Sequence, residues 1–371
     1  MAGAIGRRSR RVALLFVVFA VVGCGSETPD GPGSTSPIGW QPEALAATST
    51  PGSPTREATA APTPTERLAF VIGRNDYSLQ HEGRNREFIV YVPATYDASR
   101  PTPVVLMFHG TNQDGSDMLE NAGWRSVADR EGLIVVFPTA ARYFLTDIGA
   151  VGTRWNSYRL AEQTRSDTPL ADDVGFVAAI LEFIKSRFTV DARRIYASGF
   201  SSGGAFCGRL LVEMPEVLAA VGGGSGFDTD SRQPEGGIRR PAYVIVGSAD
   251  HLLLEKLGME GLPMEAAGLE DVIGPSWWTP TLETMGLEPE YRVEYCDPGG
   301  VRCSTSYRAE FESVRGFTTT LVFAEGAGPG VEFRFRVVKG MGHIYSDGDR
   351  QAGGMHEAEV FWEFFEAHPK P

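Results

Sequence analysis

The chain has 371 residues, enough for one large or two medium domains, and its hydrophobic content of 42% is typical of a globular protein. Its formal net charge of -13 provides no basic surface for nucleic acid and gives no reason to expect a polyanionic substrate. The composition therefore predicts a globular protein without a nucleic-acid partner.

The N-terminus has the pattern of an export signal. Arginines at positions 7, 8, 10 and 11 precede an apolar run, residues 12–22, that is too short to span a membrane. The run ends in Val21-Val22-Gly23-Cys24, which resembles the lipobox of bacterial lipoproteins, whose cysteine becomes the lipidated first residue. We expect residues 1–23 to be a signal peptide and Cys24 to anchor the chain in the cell envelope, at the outer membrane or cell surface. Ordinary signal cleavage and secretion is the alternative.

Residues 24–66 are mainly Pro, Thr, Ser, Gly and Ala, with very few large apolar side chains. Such a segment cannot bury enough surface to offset the entropy lost on ordering. We therefore predict a disordered tether, followed by one folded domain over residues 67–371.

The folded part begins with predicted strands at residues 68–72 and 88–92. Residues 103–108 are a continuous apolar run, typical of a strand buried on both faces of a parallel sheet. This strand ends in the polar loop His109-Gly110-Thr111-Asn112-Gln113. We expect His109 to be a structural histidine that bonds the loop.

Helix and strand patterns alternate after this loop. Residues 121–131 predict a helix, and residues 143–166 predict an irregular segment that overhangs the site and contains Trp155 and Asn156. A strongly amphipathic helix starts at Asp172-Asp173, where negative charge is favoured, so both carboxylates are predicted to be caps.

A Gly-x-Ser-x-Gly turn follows the next strand. Residues 194–198 lead into Gly199-Phe200-Ser201-Ser202-Gly203-Gly204 and then into a helical pattern, which is the context that a nucleophile elbow requires. Gly199 and Gly203 leave room for a strained backbone at the central serine. Ser201 is therefore the predicted nucleophile, with backbone amides of the helix N-terminus near a developing oxyanion.

A serine nucleophile of this kind needs an acid after a later strand. The buried strand predicted at residues 241–247 leads directly to Asp250, which we assign as the acid. Asp228 and Asp230, which follow the preceding strand, are the alternatives.

The predicted base lies near the end of the chain. Residues 291–338 are rich in strand patterns, and the last of these strands leads through Lys339-Gly340-Met341-Gly342 to His343. Among the six histidines, His343 alone follows a late strand through a glycine-rich turn. The order is therefore Ser201, Asp250, His343.

Three cysteines follow Cys24 in the sequence. Cys296 and Cys303 flank a tight turn, so a local disulfide is predicted in an oxidising compartment. Cys207 remains as a buried free thiol on the helix after Ser201. No group of His, Cys and carboxylate residues has the spacing of a metal site, so we expect no metal.

From about residue 68 to the C-terminus, the sequence resembles the polyhydroxybutyrate depolymerase-like and feruloyl-esterase-like family of α/β-hydrolases. The resemblance implies an α/β fold with a mostly parallel central sheet and helices on both faces. It also implies a secreted carboxylic ester hydrolase that needs no cofactor and has an oxyanion hole at the amides of Thr111 and Ser202. The motifs that carry it are His109-Gly110-Thr111-Asn112-Gln113, Asp172-Asp173-Val174-Gly175-Phe176, Gly199-Phe200-Ser201-Ser202-Gly203-Gly204, Gly247-Ser248-Ala249-Asp250 and Gly340-Met341-Gly342-His343.

The chain departs from the family pattern at Thr111, at Ser202 and at Tyr345-Ser346, where the family often has Cys, Asn and Trp-Pro. These departures leave the substrate open among small or polymeric esters, including polyhydroxyalkanoates and feruloyl or acetyl polysaccharides. Tyr345, Trp155 and Asn156 are predicted to line one wall of the site, where Tyr345 offers its hydroxyl as a polar tip to a ligand. A serine peptidase on the same scaffold and a non-catalytic surface-binding lipoprotein are the alternative functions.

Overall fold

The computed structural model describes residues 70–296, 303–305 and 318–371. The predicted signal peptide, the lipidation at Cys24 and the tether lie outside these residues and stay predictions. Within the described ranges, no helix has the length and apolar character needed to cross a membrane.

The described secondary structure alternates strands and helices, as the sequence predicts. The strands are β1 (Gly73–His81), β2 (Arg84–Val92), β3 (Thr102–Phe108), β4 (Ile134–Pro138), β5 (Arg142–Leu145), β6 (Ala150–Thr153), β7 (Val190–Phe200), β8 (Ala220–Gly224), β9 (Ala242–Gly247), β10 (Tyr291–Cys296), β11 (Cys303–Thr305), β12 (Thr318–Phe323) and β13 (Phe333–Val338). The α-helices are α1 (Gly115–Asn121), α2 (Trp124–Glu131), α3 (Asp173–Arg187), α4 (Ser202–Glu213), α5 (His251–Leu257), α6 (Ala266–Val272), α7 (Thr279–Met285) and α8 (Glu357–Glu366).

Eleven of these strands form one sheet in the order β1-β2-β4-β3-β7-β8-β9-β13-β12-β10-β11. The central strands from β4 to β13 are parallel, and antiparallel strands extend both edges. The loops after β3, β7, β9 and β13 therefore meet at the carboxyl edge, where ligands bind in open α/β sheets.

Helices cover both faces of the sheet, as β3 illustrates. Val104 and Leu106 pack in a core with residues of α3, α4, α6 and α7, whereas Val105 and Met107 pack in a second core with α1, α2 and α8. Side chains alternate between the two faces of a strand, so a strand buried on both sides reads as one apolar run. The predicted α/β-hydrolase fold class is confirmed.

Three predicted elements differ from the structure. A strand is predicted at residues 68–72, but residues 70–72, which the structure describes, are not in a strand. The edge strand β1 starts at Gly73. The helix predicted at 121–131 starts later, at Trp124 of α2, because Gly123 (φ 72°) separates it from α1, which ends at Asn121. The segment predicted to be irregular contains the β5–β6 hairpin.

Only one of the two carboxylates at the start of α3 is a cap. Asp172 accepts the N–H of Gly175 at 2.8 Å, as predicted. Asp173 is instead fully buried and pairs with Arg86 of β2 at 2.6 Å, and its second oxygen accepts the N–H of Asn156 at 2.7 Å. Burial raises the pKa of Asp173 although Arg86 opposes the shift. This carboxyl joins β2, α3 and the segment after β6.

The strands between α7 and His343 extend the sheet in antiparallel fashion beyond β13. Cys296 of β10 lies opposite Cys303 of β11 in the backbone register. The disulfide itself stays a prediction. Cys207 is a free, buried cysteine, and burial raises the pKa of its thiol well above the ordinary value.

Candidate active site

The connection between β7 and α4 places Ser201 in an unusual backbone conformation. Its φ of 52° and ψ of -115° lie outside the regions that residues with a side chain ordinarily occupy. The N–H of Ser201 donates to the carbonyl of Gly224 at the end of β8, at 2.7 Å. This bond fixes the strained residue to the neighbouring strand.

Glycines around Ser201 are required by close backbone approach. A Cβ atom on Gly199 would collide with the carbonyl of Gly203, and a Cβ atom on Gly226 would collide with the carbonyl of Ser201. The turn can therefore be this tight only because these positions lack side chains.

Three separate connections bring Ser201, His343 and Asp250 into one chain of hydrogen bonds. The Ser201 hydroxyl donates to Nε2 of His343 at 2.9 Å, and Nδ1–H of His343 donates to Oδ2 of Asp250 at 2.8 Å. The ring of Phe200 packs beside the imidazole, with 5.1 Å between ring centroids. The residues that the sequence predicts for a triad therefore lie within hydrogen-bonding distance.

Asp250 is both the partner of His343 and the N-cap of α5. Its Oδ1 accepts the N–H groups of Leu252 and Leu253 at 3.1 and 3.2 Å. Burial alone would raise its pKa, but the hydrogen bond and charge of His343 and the amides of α5 lower it below the ordinary value. The alternative acids, Asp228 and Asp230, pair with Arg159.

The backbone amides of Thr111 and Ser202 lie on the loop after β3 and in the first turn of α4. No acceptor is found for either N–H within the described parts of the chain, and the first N–H groups of a helix have no partner in the helix itself. Both amides are therefore available to a bound oxygen.

Arg154, which the sequence reasoning missed as a site residue, stabilises the loop that carries Thr111. Its Nε–H donates to the Thr111 hydroxyl at 3.0 Å, and Nη1 contacts Asp147 and Gln163 at 2.7 and 3.0 Å. Thr111 is 43 residues from Arg154 in sequence, and the β5–β6 hairpin brings the two together, so no local pattern indicates this contact.

His109 is structural, in agreement with the prediction. The N–H of Ala140 donates to Nε2 of His109 at 3.0 Å, and Nδ1–H donates to the Gly110 carbonyl at 2.6 Å. Burial lowers the pKa of this imidazole to about 4. A neutral His109 therefore connects the loop after β3 to the chain after β4.

Trp155 and Asn156 do not form the predicted wall. Trp155 has no exposed surface, because it packs against Phe108 and Phe206 at 5.0 and 5.2 Å and donates its indole N–H to the His109 carbonyl. The Asn156 side chain donates to the carbonyl of Ala171 at 2.8 Å. Both side chains stabilise the protein around the site instead of facing a ligand.

The Tyr345 hydroxyl is turned into the protein. It accepts the indole N–H of Trp124 at 3.0 Å and lies 3.3 Å from the Ser198 hydroxyl. Its ring contacts Phe200, with 6.3 Å between centroids. The expectation that Tyr345 offers a polar tip to a ligand is therefore wrong.

A groove of about 690 Å³ adjoins the loop after β3 at the carboxyl edge of the sheet. Its lining is mainly polar and charged and includes Asn85, Asn112, Gln113, Thr139 and Arg142, whereas Ser201 and His343 do not line it. Within the described residues, no group of three or more His, Cys, Asp or Glu side chains is placed to hold a metal ion.

Comparison with known proteins agrees with this architecture. Residues 87–231 match the family model described as Esterase PHB depolymerase. The match includes the loop with Thr111 and the turn at Ser201 and ends before Asp250 and His343. The predicted resemblance to this family is confirmed.

Three curated relatives carry esterase or depolymerase names. The bifunctional acetylxylan esterase/xylanase XynS20E of Neocallimastix patriciarum is 29% identical over 41% of this chain and 19% of its own length. Feruloyl esterase B of Piromyces equi is 29% identical over 50% of this chain and 34% of its own length. Poly(3-hydroxybutyrate) depolymerase of Ralstonia pickettii is 28% identical over 34% of this chain and 27% of its own length. The chain thus spans about a third or less of the length of these relatives.

We predict that His109 stays neutral well below the usual titration range of histidine. Because the pKa of His109 is lowered to about 4 in the folded state, the fold gains stability as pH rises from about 4 to about 6.5, by about 3 kcal/mol in total. Imidazole ¹⁵N shifts measured against pH should show the Nδ1–H tautomer down to about pH 4. A midpoint near 6.5 would contradict the buried role.

Proposed function

We propose that this chain, whose residues 87–231 match the PHB depolymerase esterases, is an exported serine esterase that hydrolyses carboxylic esters. The observation that carries the proposal is the continuous hydrogen-bond chain from Ser201 through His343 to Asp250. A serine hydroxyl becomes a useful nucleophile when a neighbouring base accepts its proton and a third group orients that base.

The first step is attack by Ser201 on the ester carbonyl. Nε2 of His343 takes the proton of the serine hydroxyl as the new C–O bond forms. Asp250 holds the imidazole in the tautomer with hydrogen on Nδ1 and stabilises the imidazolium ion that results. Its two bonds from α5 keep its carboxylate oriented while the charge on His343 changes.

The carbonyl oxygen becomes negatively charged in this step, and the amides of Thr111 and Ser202 stabilise it. The intermediate then collapses, the alcohol leaves with the proton from His343, and an acyl-enzyme remains on Ser201. Water, activated by His343, hydrolyses this ester and releases the acid. The reaction needs no cofactor.

The polar groove beside the loop after β3 favours esters whose alcohol or acyl part carries hydroxyl or carbonyl groups. Amide and hydroxyl side chains line it, and Arg142 adds a donor at its rim. Among the polyhydroxyalkanoate, feruloyl and acetyl esters, we propose an acylated carbohydrate as the substrate, because its hydroxyl groups suit a polar groove next to the loop that carries Thr111.

Export and lipid attachment complete the proposed function. The arginine-rich start, the short apolar run and the Val-Val-Gly-Cys sequence support a lipid on Cys24, and residues 25–66 would then separate the enzyme from the membrane. In an oxidising compartment, the opposed backbone positions of Cys296 and Cys303 favour a disulfide.

The triad predicts that a fluorophosphonate probe labels Ser201 and that peptide mapping finds the label there. Ser201→Ala, Asp250→Asn and His343→Ala should each lower kcat by about 10⁴-fold or more, without additivity, because the three residues act as one unit. Ser186→Ala, at an exposed serine of α3, is the control that should keep full activity. Label at another serine would contradict the proposal, and an unreactive protein that binds glycan tightly would favour a binding module.

The groove predicts a preference among substrates. Residues 67–371 should hydrolyse acetylated or feruloylated xylan fragments with a higher kcat/KM than aryl or hydroxyalkanoate esters of similar reactivity. Gln113 bonds the loop itself, so the matched variant is Arg142→Ala at the exposed rim, which should raise KM for the carbohydrate ester and leave KM for a small aryl ester unchanged. Equal changes for both esters would show that the groove does not select the substrate.

The export proposal predicts a diacylated N-terminal peptide that starts at Cys24 in protein purified from membranes. Cys24→Ala should move the protein from the detergent phase to the aqueous phase. Mass mapping without reductant should also find the peptides of Cys296 and Cys303 linked. An unmodified Cys24 in a correctly exported protein would argue for the secreted alternative.

A further inference from the structure

Glu357, the first residue of α8, is a fully buried carboxyl group that the proposed reaction does not use. Its Oε1 accepts the N–H of Ser346 at 2.9 Å, and its own N–H donates to the carbonyl of Ser346 at 2.9 Å. Ser346 lies three residues after His343. The two bonds therefore attach the loop that carries His343 to the start of α8.

Further hydrogen bonds link the two ends of the segment between Ser346 and Glu357. The Ser346 hydroxyl donates to the carbonyl of Met355 at 2.6 Å, and Gly348 donates its N–H to the same carbonyl at 3.0 Å. At the end of this segment, the side chain of Glu357 binds the backbone N–H of Ser346, next to Tyr345.

The other oxygen of Glu357 packs against Gly224, the last residue of β8. A Cβ atom on Gly224 would lie 2.6 Å from Oε2 of Glu357 and 3.1 Å from the Tyr345 ring, so Gly224 has no room for a side chain. The carbonyl of Gly224 accepts the N–H of Ser201 at 2.7 Å. One carboxyl group therefore contacts both the His343 loop and the residue that fixes Ser201.

The surroundings of Glu357 favour a neutral carboxyl. Within the described residues, no Lys, Arg or His forms an ion pair with it, and Tyr345 is the titratable group that faces it. Burial raises the pKa of Glu357 to about 8, although the Ser346 amide opposes the shift. A neutral carboxyl still accepts the Ser346 N–H through its carbonyl oxygen.

We propose that Glu357 is a positioning residue that keeps His343 and Ser201 at reacting distance, by accepting the Ser346 N–H and packing against Gly224. The inference rests on the proposed function, because it concerns the same serine and histidine. A loss of this support lets the His343 loop move relative to Ser201, and displacements of this kind slow a reaction strongly even when binding is unchanged.

The test compares substitutions at Glu357 by the rate at which a fluorophosphonate labels Ser201. Glu357→Gln keeps the carbonyl acceptor and the size of the neutral acid, so its rate should stay within about twofold of wild type. Glu357→Met keeps the length and removes the acceptor, so its rate should fall about tenfold or more. Ester hydrolysis should show the same order in kcat, with KM nearly constant.

Phe364→Leu on α8 is the matched control for stability, since Phe364 packs against Tyr243 and Phe365 and is remote from the His343 loop. It should lower the melting temperature and leave the labelling rate unchanged. If Glu357→Met does not fold, Glu357→Asp provides the comparison, because the shorter acid cannot reach Ser346 and should react more slowly than Glu357→Gln.

Wild-type rates for Glu357→Met, or equal slowing in Phe364→Leu, would overturn the positioning role. A Glu357→Gln variant as slow as Glu357→Met would overturn the assignment to the acceptor oxygen. A wild-type protein that does not react at Ser201 would contradict the proposed esterase function first, and the positioning role would fall with it.

Discussion

Ser201 occupies a strained backbone conformation, with φ of 52°, that the protein maintains through one hydrogen bond and several glycines. Strain of this kind persists only when the surrounding structure determines the conformation. The N–H bond to Gly224 provides this support, and the tight turn directs the serine hydroxyl toward His343 while α4 starts at the next residue. The sheet order matters to the site because it puts β7 beside β8, which places Gly224 within reach.

The groups around Ser201 are positioned mainly by buried polar contacts. His109 and Trp155 connect the loop after β3 to neighbouring segments, and Arg154 holds the Thr111 side chain. Asp250 is oriented by the N-terminus of α5. Buried polar groups are costly when unpaired, so a network of satisfied contacts specifies one arrangement of the loops. The proposed esterase therefore depends on residues that never touch a substrate.

The sequence predicts the three residues that meet at the site better than it predicts the residues around them. Ser201, Asp250 and His343 are predictable because each follows a recognisable strand and because their order matches one fold, and the structure brings the three side chains into contact. The strand β3 was found because burial on both faces leaves a continuous apolar run. By contrast, β1 is a polar edge strand with little pattern of its own, so the sequence predicts a strand at residues 68–72 and misses the start of β1 at Gly73.

Contacts between distant segments were beyond the sequence reasoning. The polar segment around Trp155 predicts a position at a ligand wall, yet its indole is buried under the loop after β3. The sequence predicts that Tyr345 presents its hydroxyl to a ligand, but this hydroxyl accepts the indole N–H of Trp124, 221 residues away in sequence. Arg154 and Glu357 have no local motif, and their roles follow only from which backbone groups the fold brings to them.

A crystal structure of the protein after reaction with a fluorophosphonate tests the central claim most directly, because the adduct carries an oxygen where the oxyanion would form. We expect phosphorus bonded to Oγ of Ser201 and this oxygen within about 2.7–3.1 Å of the amides of both Thr111 and Ser202. His343 should remain bonded to Asp250. An adduct whose oxygen points away from these two amides would contradict the proposed site.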